Sequence, residues 1–248
     1  MTGASRRGAI GAAICRALAT DGADVFFTHW AAYDRMLSYE ADAGGPDALR
    51  DELRALGVRS EHVEIDQSRP DAAELILREV NIQLGSPSIL VNNAAYSTGD
   101  GFEVLDAATL DAHYAVNVRS MALLSAGFAR QFVTGTGGRI INLSSGQSQG
   151  PMIGELAYVA SKGAVEAFTV SLSAEVGSKG ITVNAVNPGP TDTGWMNDEL
   201  KGALLPKFVL GRIGQADDVA RLVAFLASDD AAWITGQVIH SEGGFLRG

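Results

Sequence analysis

The sequence of 248 residues has little of what marks secreted, membrane or nucleic-acid-binding proteins. Its single cysteine, Cys15, excludes an internal disulfide and is typical of a reducing cytoplasm. Lys and Arg number 19 against 29 Asp and Glu, and this net charge of −10 argues against nucleic acid as a partner. No polybasic run, long apolar stretch or leader-like start indicates a membrane partner or secretion. We therefore expect a cytoplasmic protein whose partners include neither nucleic acid nor a membrane.

Short apolar runs alternate with longer helical patterns along the whole chain. The runs predict strands at Val25–Thr28, Ser60–Ile65, Ile89–Asn92, Arg139–Leu143, Thr182–Asn187 and Gln237–His240. The intervening patterns predict helices near Ala9–Asp21, Asp47–Leu56, Pro70–Leu84, Thr109–Thr134, Tyr158–Gly177 and Gln215–Ser228. Consecutive apolar residues within the strands are typical of a parallel sheet that is buried on both faces. The sequence thus predicts one α/β domain over residues 1–248, a doubly wound (Rossmann) and mostly parallel sheet with helices on both faces.

The residues that follow the predicted strands are polar or rich in glycine. Ligands of such sheets bind beyond the carboxyl ends of the strands, so these residues are the candidates for a site. They are Gly3–Gly11, Thr28–Trp30, Asp66, Asn92–Ala95, Ser144–Ser145 and Pro188–Thr193.

The clearest chemical pattern is Tyr158-Val-Ala-Ser-Lys162, with Ser145 thirteen residues before the tyrosine. Residues four apart share one face of a helix, so Lys162 is expected one turn from Tyr158. A free phenol has a pKa of roughly 10, and a nearby ammonium favours the phenolate. We therefore predict that Lys162 lowers the pKa of Tyr158 and makes it a general acid or base, with Ser145 binding a substrate oxygen. Taken alone, the same residues are more often a half-buried aromatic, a solvated charge and a loop cap.

Further motifs occur in a compatible order. "NNAA" spans Asn92–Ala95, "AVNVRS" contains Asn117, "NPGPTDTGW" begins at Asn187, and the chain closes on a segment ending in Gly243-Gly244. With the first glycine turn and the Tyr158–Lys162 pair, these motifs resemble those of the short-chain dehydrogenase/reductase family, from one end of the chain to the other. The nearest resemblance within the family is to 3-oxoacyl-[acyl-carrier-protein] reductases.

The resemblance implies an NAD(P)-dependent oxidoreductase that acts on CH–OH groups and their ketones. It implies the catalytic residues Asn117, Ser145, Tyr158 and Lys162. Tyr158 would protonate the ketone oxygen that Ser145 holds, Lys162 would also bind the nicotinamide ribose, and Asn117 would support a backbone kink and a water relay. The implied cofactor-binding residues are Gly3, Ser5, Arg6, Arg7, Gly8, Ile10, Gly11, His29, Asp66, Gln67, Asn93, Ala94, Ala95, Tyr158, Lys162, Pro188, Gly189, Thr191 and Thr193. No metal site is implied. The alternatives are that Asn117 is a plain helix asparagine and that Asp66 caps its loop instead of contacting adenine.

The first glycine turn departs from the family pattern in two ways. Its glycines fall at positions 3, 8 and 11, so the turn is two residues longer than the family pattern Thr-Gly-x-x-x-Gly-x-Gly. The helix that follows can still direct its N-terminus at a pyrophosphate. Only Met1 precedes the Thr-Gly pair, so the family's first, central strand is apparently absent. An empty slot of about 10 Å would leave unpaired backbone on both sides. We therefore expect a short upstream segment in the natural protein, or another segment in the slot.

The turn after Val25–Thr28 bears on the choice of cofactor. A carboxylate there would bind the ribose hydroxyls of NAD, whereas this sequence has Thr28 and His29. Arg6 and Arg7 can pair with a 2′-phosphate, or be ordinary solvated charges. We predict NADP(H) as the preferred cofactor, with NAD(H) possible.

The segment 194–210 is predicted to be a substrate lid with an apolar inner face. Such a lid suits a hydrophobic ketone, a secondary alcohol or a 3-oxoacyl thioester as the small-molecule substrate. The alternatives are an NAD-dependent sugar or polyol dehydrogenase and a catalytically silent nucleotide-binding regulator. The resemblance further implies a homotetramer.

Overall fold

The computed structural model describes residues 1–36, 44–133 and 135–247. Its strands are Val25–His29 (β1), Ser60–Glu64 (β2), Ile89–Asn92 (β3), Gly138–Leu143 (β4), Ile181–Asn187 (β5), Thr191–Asp192 (β6), Gly214–Gln215 (β7) and Val238–His240 (β8). Its α-helices are Ile10–Thr20 (α1), Ala31–Met36 (α2), Gly45–Ala55 (α3), Ala72–Gln83 (α4), Ala107–His113 (α5), Met121–Gln131 (α6), Leu156–Val176 (α7), Asp198–Leu204 (α8) and Ala216–Ala227 (α9). A π-helix, Tyr114–Ser120, joins α5 to α6. Short 3₁₀ turns occur at Gly146–Ser148, Gly177–Lys179, Leu205–Lys207 and Asp229–Ala231.

The predicted strands are confirmed to within one residue, and most predicted helices to within two. The exception is the predicted helix 109–134, whose last residue lies outside the described residues. In the structure a π-helical segment separates its two α-helical parts.

The sheet is parallel throughout its main part. Strand β1 pairs with β2, and β3, β4, β5 and β8 form a four-stranded sheet in that order. Between β1 and β3 lies the N-terminal segment Met1–Ala4. It binds β1 through Thr28, whose N–H donates to the Met1 carbonyl at 3.0 Å and whose carbonyl accepts from Ala4 N–H at 2.8 Å. It binds β3 through Thr2 N–H, which donates to the Val91 carbonyl at 3.0 Å.

Residues 1–4 are not assigned as a strand, so the predicted absence of the family's first strand agrees with the structure. The segment nevertheless satisfies backbone groups of both neighbouring strands and fills the slot, which is the second of the two predicted alternatives. Four residues are enough because a parallel ladder needs backbone N–H and C=O groups at the right spacing, whatever the side chains are.

Two hydrophobic layers cover the two faces of the sheet. Neighbouring strand residues point in opposite directions, so Leu90 and Val91 belong to different clusters, as do Ile140 and Ile141. One cluster packs α1, α3 and α9 against the sheet, and the other packs α4, α6 and α7. This arrangement is the predicted doubly wound α/β fold with helices on both faces. Cys15 is fully buried in the first cluster, as its position in α1 predicts.

Candidate active site

A cleft of about 330 Å³ opens at the carboxyl ends of β1, β2 and β3. Its size is in the range of small-molecule sites, and its place is the one expected for an open parallel sheet. The lining residues are Gly3, Ser5, Arg6, Ala9, Ile10, Gly11, Thr28, His29, Trp30, Tyr33, Asp34, Ile65, Gln67, Asn93, Ala94, Ala95, Tyr96, Ser97, Val116, Tyr158 and Thr193.

The glycine turn forms the floor of the cleft. Gly3 has a φ of +73°, and a Cβ there would lie 2.7 Å from Ala94 Cα, so only glycine fits. A Cβ on Gly11 would collide with the Gly3 carbonyl, which accepts a 2.8 Å hydrogen bond from Asn93 Nδ2. Helix α1 begins here with no side-chain cap and no acidic residue in its first turn, so its N-terminal N–H groups are left for an anion.

Tyr158 reaches the cleft from the first turn of α7. The start of this helix is fixed by the buried carboxylate of Asp100, which accepts hydrogen bonds from Leu156 N–H at 2.5 Å and Ala157 N–H at 2.9 Å. These are the N–H groups that a helix leaves without internal partners, and a carboxylate also interacts favourably with the helix dipole. Asp100 was not singled out from the sequence, since it lies 56 residues from the helix it caps.

The predicted pKa direction of Tyr158 is wrong. Burial of its hydroxyl raises the pKa of Tyr158 well above the ordinary value of 10.0, and the hydrogen bond with Ser145 offsets only part of this rise. Because desolvation penalises the phenolate, the group is a protonated donor at neutral pH. Sequence spacing shows which residues are close to the phenol but not how deeply it is enclosed.

Lys162 lies behind Tyr158 rather than in the cleft itself. Its Nζ is 5.5 Å from the centre of the Tyr158 ring and donates a 2.7 Å hydrogen bond to the Leu143 carbonyl at the end of β4. Burial lowers the pKa of Lys162 from 10.5 to about 8. The amine also lines a space of about 10 Å³, together with Asn117 and Thr2, next to the main cleft. The predicted proximity of the pair is confirmed, but the lysine is held by the strand end.

Ser145 follows β4 directly and is half-buried. Its hydroxyl donates to Met152 Sδ at 3.8 Å, and its proximity to the Tyr158 hydroxyl lowers the pKa of that group. The structure therefore brings Ser145 and Tyr158 together as a pair of hydroxyls, the arrangement needed to bind one substrate oxygen from two sides.

Asn117 lies in the middle of the π-helix and is buried. Its Oδ1 accepts from Tyr96 N–H at 2.7 Å, and its Nδ2 donates to the Tyr96 carbonyl and to Ser161 Oγ, both at 2.9 Å. These bonds connect the loop after β3 to α7. π-helical segments are frequent at functional sites, and this one contains Asn117, for which the resemblance implies a role beside a backbone kink.

The cleft end next to β1 combines the predicted candidate Trp30 with Tyr33 and Asp34, which sequence reasoning missed. Trp30 and Tyr33 stack at 6.3 Å, and Tyr33 contacts the Tyr96 ring at 5.6 Å. Asp34 also lines the cleft, 3.7 Å from Arg6 Nε, and burial raises the pKa of its carboxyl. A carboxylate is thus present near β1 after all, five residues beyond His29. Only the helical turn of α2 brings it into the cleft.

The remaining predicted residues divide into two groups. Ser5, Arg6, Ile10, Gln67, Ala94, Ala95 and Thr193 line the cleft with those already described. Arg7, Gly8, Asp66, Pro188, Gly189 and Thr191 do not line it. Asp66 instead accepts a 2.8 Å hydrogen bond from Ser68 N–H, the loop-capping alternative. Its backbone neighbour Gln67 is the residue that turns inward, donating to Thr28 Oγ1 at 3.2 Å.

No group of three or more His, Cys, Asp or Glu side chains among the described residues is placed to hold a metal ion. Within the same residues, none of the helices has the length and apolar character required to cross a membrane.

Comparison with known proteins supports the geometry. The family model described as "Enoyl-(Acyl carrier protein) reductase" matches residues 3–246. The chain is 55% identical over 250 residues to the uncharacterized oxidoreductase YjdA of Bacillus subtilis, covering 100% of this chain and 96% of that protein. It is 37% identical over 257 residues to the 3-oxoacyl-[acyl-carrier-protein] reductase FabG of Pseudomonas aeruginosa, covering 98% and 95%.

Two solved structures are also similar. A blue fluorescent protein from a metagenomic library, in complex with NADPH, has a TM-score of 0.88 and 33% identity, with 99% of this chain and 96% of that one covered. A short-chain dehydrogenase/reductase from Serratia marcescens has a TM-score of 0.87 and 33% identity, with 98% and 95% covered. With these matches over nearly the whole chain and the Ser145, Tyr158 and Lys162 arrangement at its cleft, the protein is an oxidoreductase that belongs to the short-chain dehydrogenase/reductase family.

Proposed function

We propose that the protein is an NADP(H)-dependent reductase of ketones, working reversibly on secondary alcohols, with 3-oxoacyl thioesters as the leading substrate class. The observation that carries this function is the Tyr158 hydroxyl, which lines the cleft from α7, with Ser145 close to it just after β4. A nucleotide-binding regulator would have no use for a proton donor at the cleft.

The cleft fits a dinucleotide. The glycine cradle at Gly3 and Gly11 admits a ligand close to the backbone, and the uncapped start of α1 suits a pyrophosphate. Arg6 lines the cleft and supplies positive charge for a 2′-phosphate. An NADPH complex among the similar solved structures supports the same cofactor.

The chain's own residues account for positioning and proton transfer. Bound NADP(H) would supply the hydride. Tyr158 donates its proton to the carbonyl oxygen, and the Ser145 hydroxyl holds that oxygen in line with the donor. The phenol is protonated at neutral pH, so Tyr158 can act as the acid in reduction. The ammonium of Lys162, behind the ring, stabilises the phenolate formed after the transfer.

The proposed substrate lid is the segment 194–210, which contains α8. Met196 and Phe208 are buried anchors, while Trp195, Leu205 and Val209 are exposed apolar side chains available to a substrate. Apolar surface at this place suits an acyl chain better than a small charged acid. The similarity to a 3-oxoacyl-[acyl-carrier-protein] reductase agrees with this class.

A second candidate is an NAD-dependent sugar or polyol dehydrogenase. It is favoured by Asp34, whose carboxylate in the cleft suits ribose hydroxyls and repels a phosphate. The proposed enzyme is a single domain that acts in the cytoplasm as a homotetramer.

The test is a substrate panel followed at the nicotinamide absorbance in both directions. The panel contains 3-oxoacyl thioesters of increasing chain length, aliphatic ketones, secondary alcohols, sugars and polyols, each with NADP(H) and NAD(H). We expect fastest turnover of hydrophobic 3-oxoacyl thioesters with NADPH.

The Tyr158→Phe variant tests the proposed proton donor, since it removes only the hydroxyl. It should lower kcat by about 1,000-fold and leave the Kd of NADPH within a factor of about 3. Turnover near the wild-type rate in this variant would contradict the assignment of the donor. Cofactor binding without turnover of any compound would contradict the proposed function.

A further inference from the structure

One buried histidine next to the cleft takes no part in the proposed proton transfer. His113 is the last residue of α5, and its side chain is almost completely buried. Its Nδ1 lies 2.8 Å from the Thr109 carbonyl, one turn earlier in the same helix. Its Nε2 accepts a 3.3 Å hydrogen bond from Thr98 N–H, in the loop that follows β3. The imidazole therefore joins a helix to a loop that runs from the cleft towards α7.

These two contacts fix the position of the ring hydrogen. A carbonyl oxygen can only accept, so Nδ1 of His113 carries the hydrogen and donates it to Thr109. The Thr98 N–H can only donate, so Nε2 is the unprotonated acceptor. Neutral His113 in this one tautomer satisfies both partners, whereas a protonated ring would set a second N–H against that of Thr98.

The loop that His113 holds is the segment 96–100, which we call the strap. Side chains from three different elements engage its backbone at successive residues. Asn117 binds both backbone groups of the first residue. The Tyr33 hydroxyl lies 3.2 Å from the N–H of the second residue and 3.4 Å from its carbonyl, and His113 accepts from the N–H of the third. The strap ends at Asp100, whose carboxylate caps the start of α7.

The His113 ring also lies edge-on to two tyrosine rings that line the cleft. Its centroid is 5.0 Å from that of Tyr96 and 6.4 Å from that of Tyr158, with interplanar angles of 80° and 73°. Edge-to-face contacts at such distances favour one relative orientation of the rings. His113 is thus connected to the proposed proton donor in two ways, through the ring contact and through the strap that caps α7.

We propose that His113 is a positioning residue for the reaction, which holds the strap through Thr98 and thereby sets the orientation of Tyr158. The bond to Thr98 carries this role, because the strap connects the cleft wall to the first turn of α7, whereas Thr109 lies within α5 itself. Loss of that bond should lower kcat, since proton transfer depends closely on the placement of the donor. This inference rests on the proposed function, because it requires Tyr158 to be the donor.

Two substitutions separate the two bonds of His113. His113→Gln carries an amide oxygen that can reach the position of Nε2 and accept from Thr98, but it loses the bond to Thr109. His113→Asn keeps an amide N–H near the position of Nδ1 for Thr109, but it is too short to reach Thr98. Both variants lose the ring, so they should be destabilised to a similar degree. Val176→Ala is the control, since Val176 is buried at the far end of α7 and its truncation lowers stability away from the cleft.

The test uses the full chain with NADPH and acetoacetyl-coenzyme A, a 3-oxoacyl thioester. His113→Asn should lower kcat about tenfold and leave KM and the Kd of NADPH within about twofold, because the lost placement acts on the transition state. Hydrogen exchange at the Thr98 amide should be faster in this variant. His113→Gln should keep the amide protected and kcat within about threefold of the wild-type value. Val176→Ala should have a lower midpoint of urea unfolding and an unchanged kcat.

A measurement on the wild type alone tests the same bond if a variant does not fold. Side-chain nitrogen NMR at neutral and alkaline pH should show His113 with its hydrogen on Nδ1 and with an unprotonated Nε2. A hydrogen on Nε2 would exclude the bond from Thr98 and overturn the proposal.

The outcomes distinguish this inference from the proposed function. If the wild type does not reduce the thioester, the proposed function fails and this role fails with it. If the wild type is active but the two His113 variants lose kcat equally, the proposed function stands and the positioning role is wrong. The same conclusion follows if His113→Asn keeps the wild-type kcat with a rapidly exchanging Thr98 amide, or if Val176→Ala loses as much kcat as His113→Asn.

Discussion

The two ends of the cleft are built in different ways. At the Tyr158 end, buried polar side chains hold the backbone through pairs of hydrogen bonds. The Asp100 carboxylate accepts two from the first N–H groups of α7, and the Asn117 amide makes two with the backbone of Tyr96. At the β1 end, stacked rings and closely spaced charges line the wall, including Trp30 and the Arg6–Asp34 pair. The first end holds the proposed proton donor in one geometry, whereas the second places the charges of Arg6 and Asp34 side by side at the cleft. Variants at the two ends should therefore affect different measurements.

The largest effect is expected from the buried ammonium at the Tyr158 end. Burial lowers the pKa of Lys162 from 10.5 to about 8, so between these values the unfolded chain binds more protons than the folded one. The free energy of unfolding should thus rise as the pH increases from 8 to 10.5. The interval corresponds to about 3 kcal/mol, and below pH 8 the full cost of burying the charge is present.

Lys162→Met provides the measurement, since it keeps the chain length without the charge. Urea unfolding of both proteins at intervals from pH 7 to 10.5 gives their stability difference, in which other titrations cancel. The free energy of unfolding of the wild type should increase relative to that of the variant as the pH rises. A difference that stays constant across this range would show that the amine is not desolvated in the folded protein.

The residues of the Tyr158 end could be predicted from the sequence more readily than those of the β1 end. The Tyr158–Lys162 pair depends on helical spacing, and Ser145 depends on the end of a strand, both of which are local patterns. Apolar runs located the strands because a sheet buried on both faces requires them. In contrast, Asp34 approaches Arg6 only because of the way α2 follows β1. The residue that caps α7, Asp100, lies 56 residues earlier in the chain, so no local pattern connects the two.

Two features of the structure leave no local pattern in the sequence. The pairing of Met1–Ala4 between β1 and β3 uses backbone groups, which leave no pattern in so short a segment. The raised pKa of Tyr158 comes from enclosure by many residues, which the spacing of two residues cannot reveal. Local periodicity predicts elements and neighbours, whereas burial and long-range pairing require the folded chain.

The cap of α7 should have the next largest effect. Asp100→Asn keeps the shape but can accept through only one oxygen, so one helix N–H loses its partner. We expect a loss of about 1–2 kcal/mol in stability and a roughly tenfold lower kcat, because Tyr158 is no longer held in place. Steady-state kinetics should show this in kcat, with the Kd ratio of the two cofactors unchanged.

The control for this variant is Asp106→Asn, which caps the exposed start of α5 through Thr109 N–H at 2.8 Å. Asparagine is an equally good cap there, so kcat should remain at the wild-type value. A change of cofactor ratio in Asp100→Asn would mean that the two ends of the cleft are not independent.

The reciprocal variant is Asp34→Asn at the β1 end. Removing the charge 3.7 Å from Arg6 Nε should strengthen the attraction of this wall for a 2′-phosphate. We expect the Kd of NADPH relative to that of NADH to fall roughly fivefold to tenfold at pH 7, with kcat changed less than twofold. Fluorescence titration with both cofactors measures the ratio. A fall in kcat with an unchanged ratio would instead assign Asp34 to the catalytic end.

The smallest effect is expected from the C-terminal ion pair. The Arg247 guanidinium pairs with Glu242 and packs against Gly146, next to Ser145. Glu242 in turn accepts a 2.8 Å hydrogen bond from Asn187 Nδ2 at the end of β5. Arg247 thus connects the loop that carries Ser145, the proposed substrate-binding residue, to a neighbouring strand end.

Arg247→Ala should lower kcat about twofold to threefold through a less ordered Ser145, and should leave the NADPH to NADH ratio unchanged. Arg221→Ala is the matched control, since its pair with Asp218 is exposed and such pairs contribute little. Hydrogen exchange of the Gly146–Ser148 amides provides the structural readout, and these amides should exchange faster in Arg247→Ala only. Unchanged exchange together with lower kcat would place the effect of Arg247 on the substrate itself, and the Tyr158 end would then include a charge that binds from the C-terminal segment.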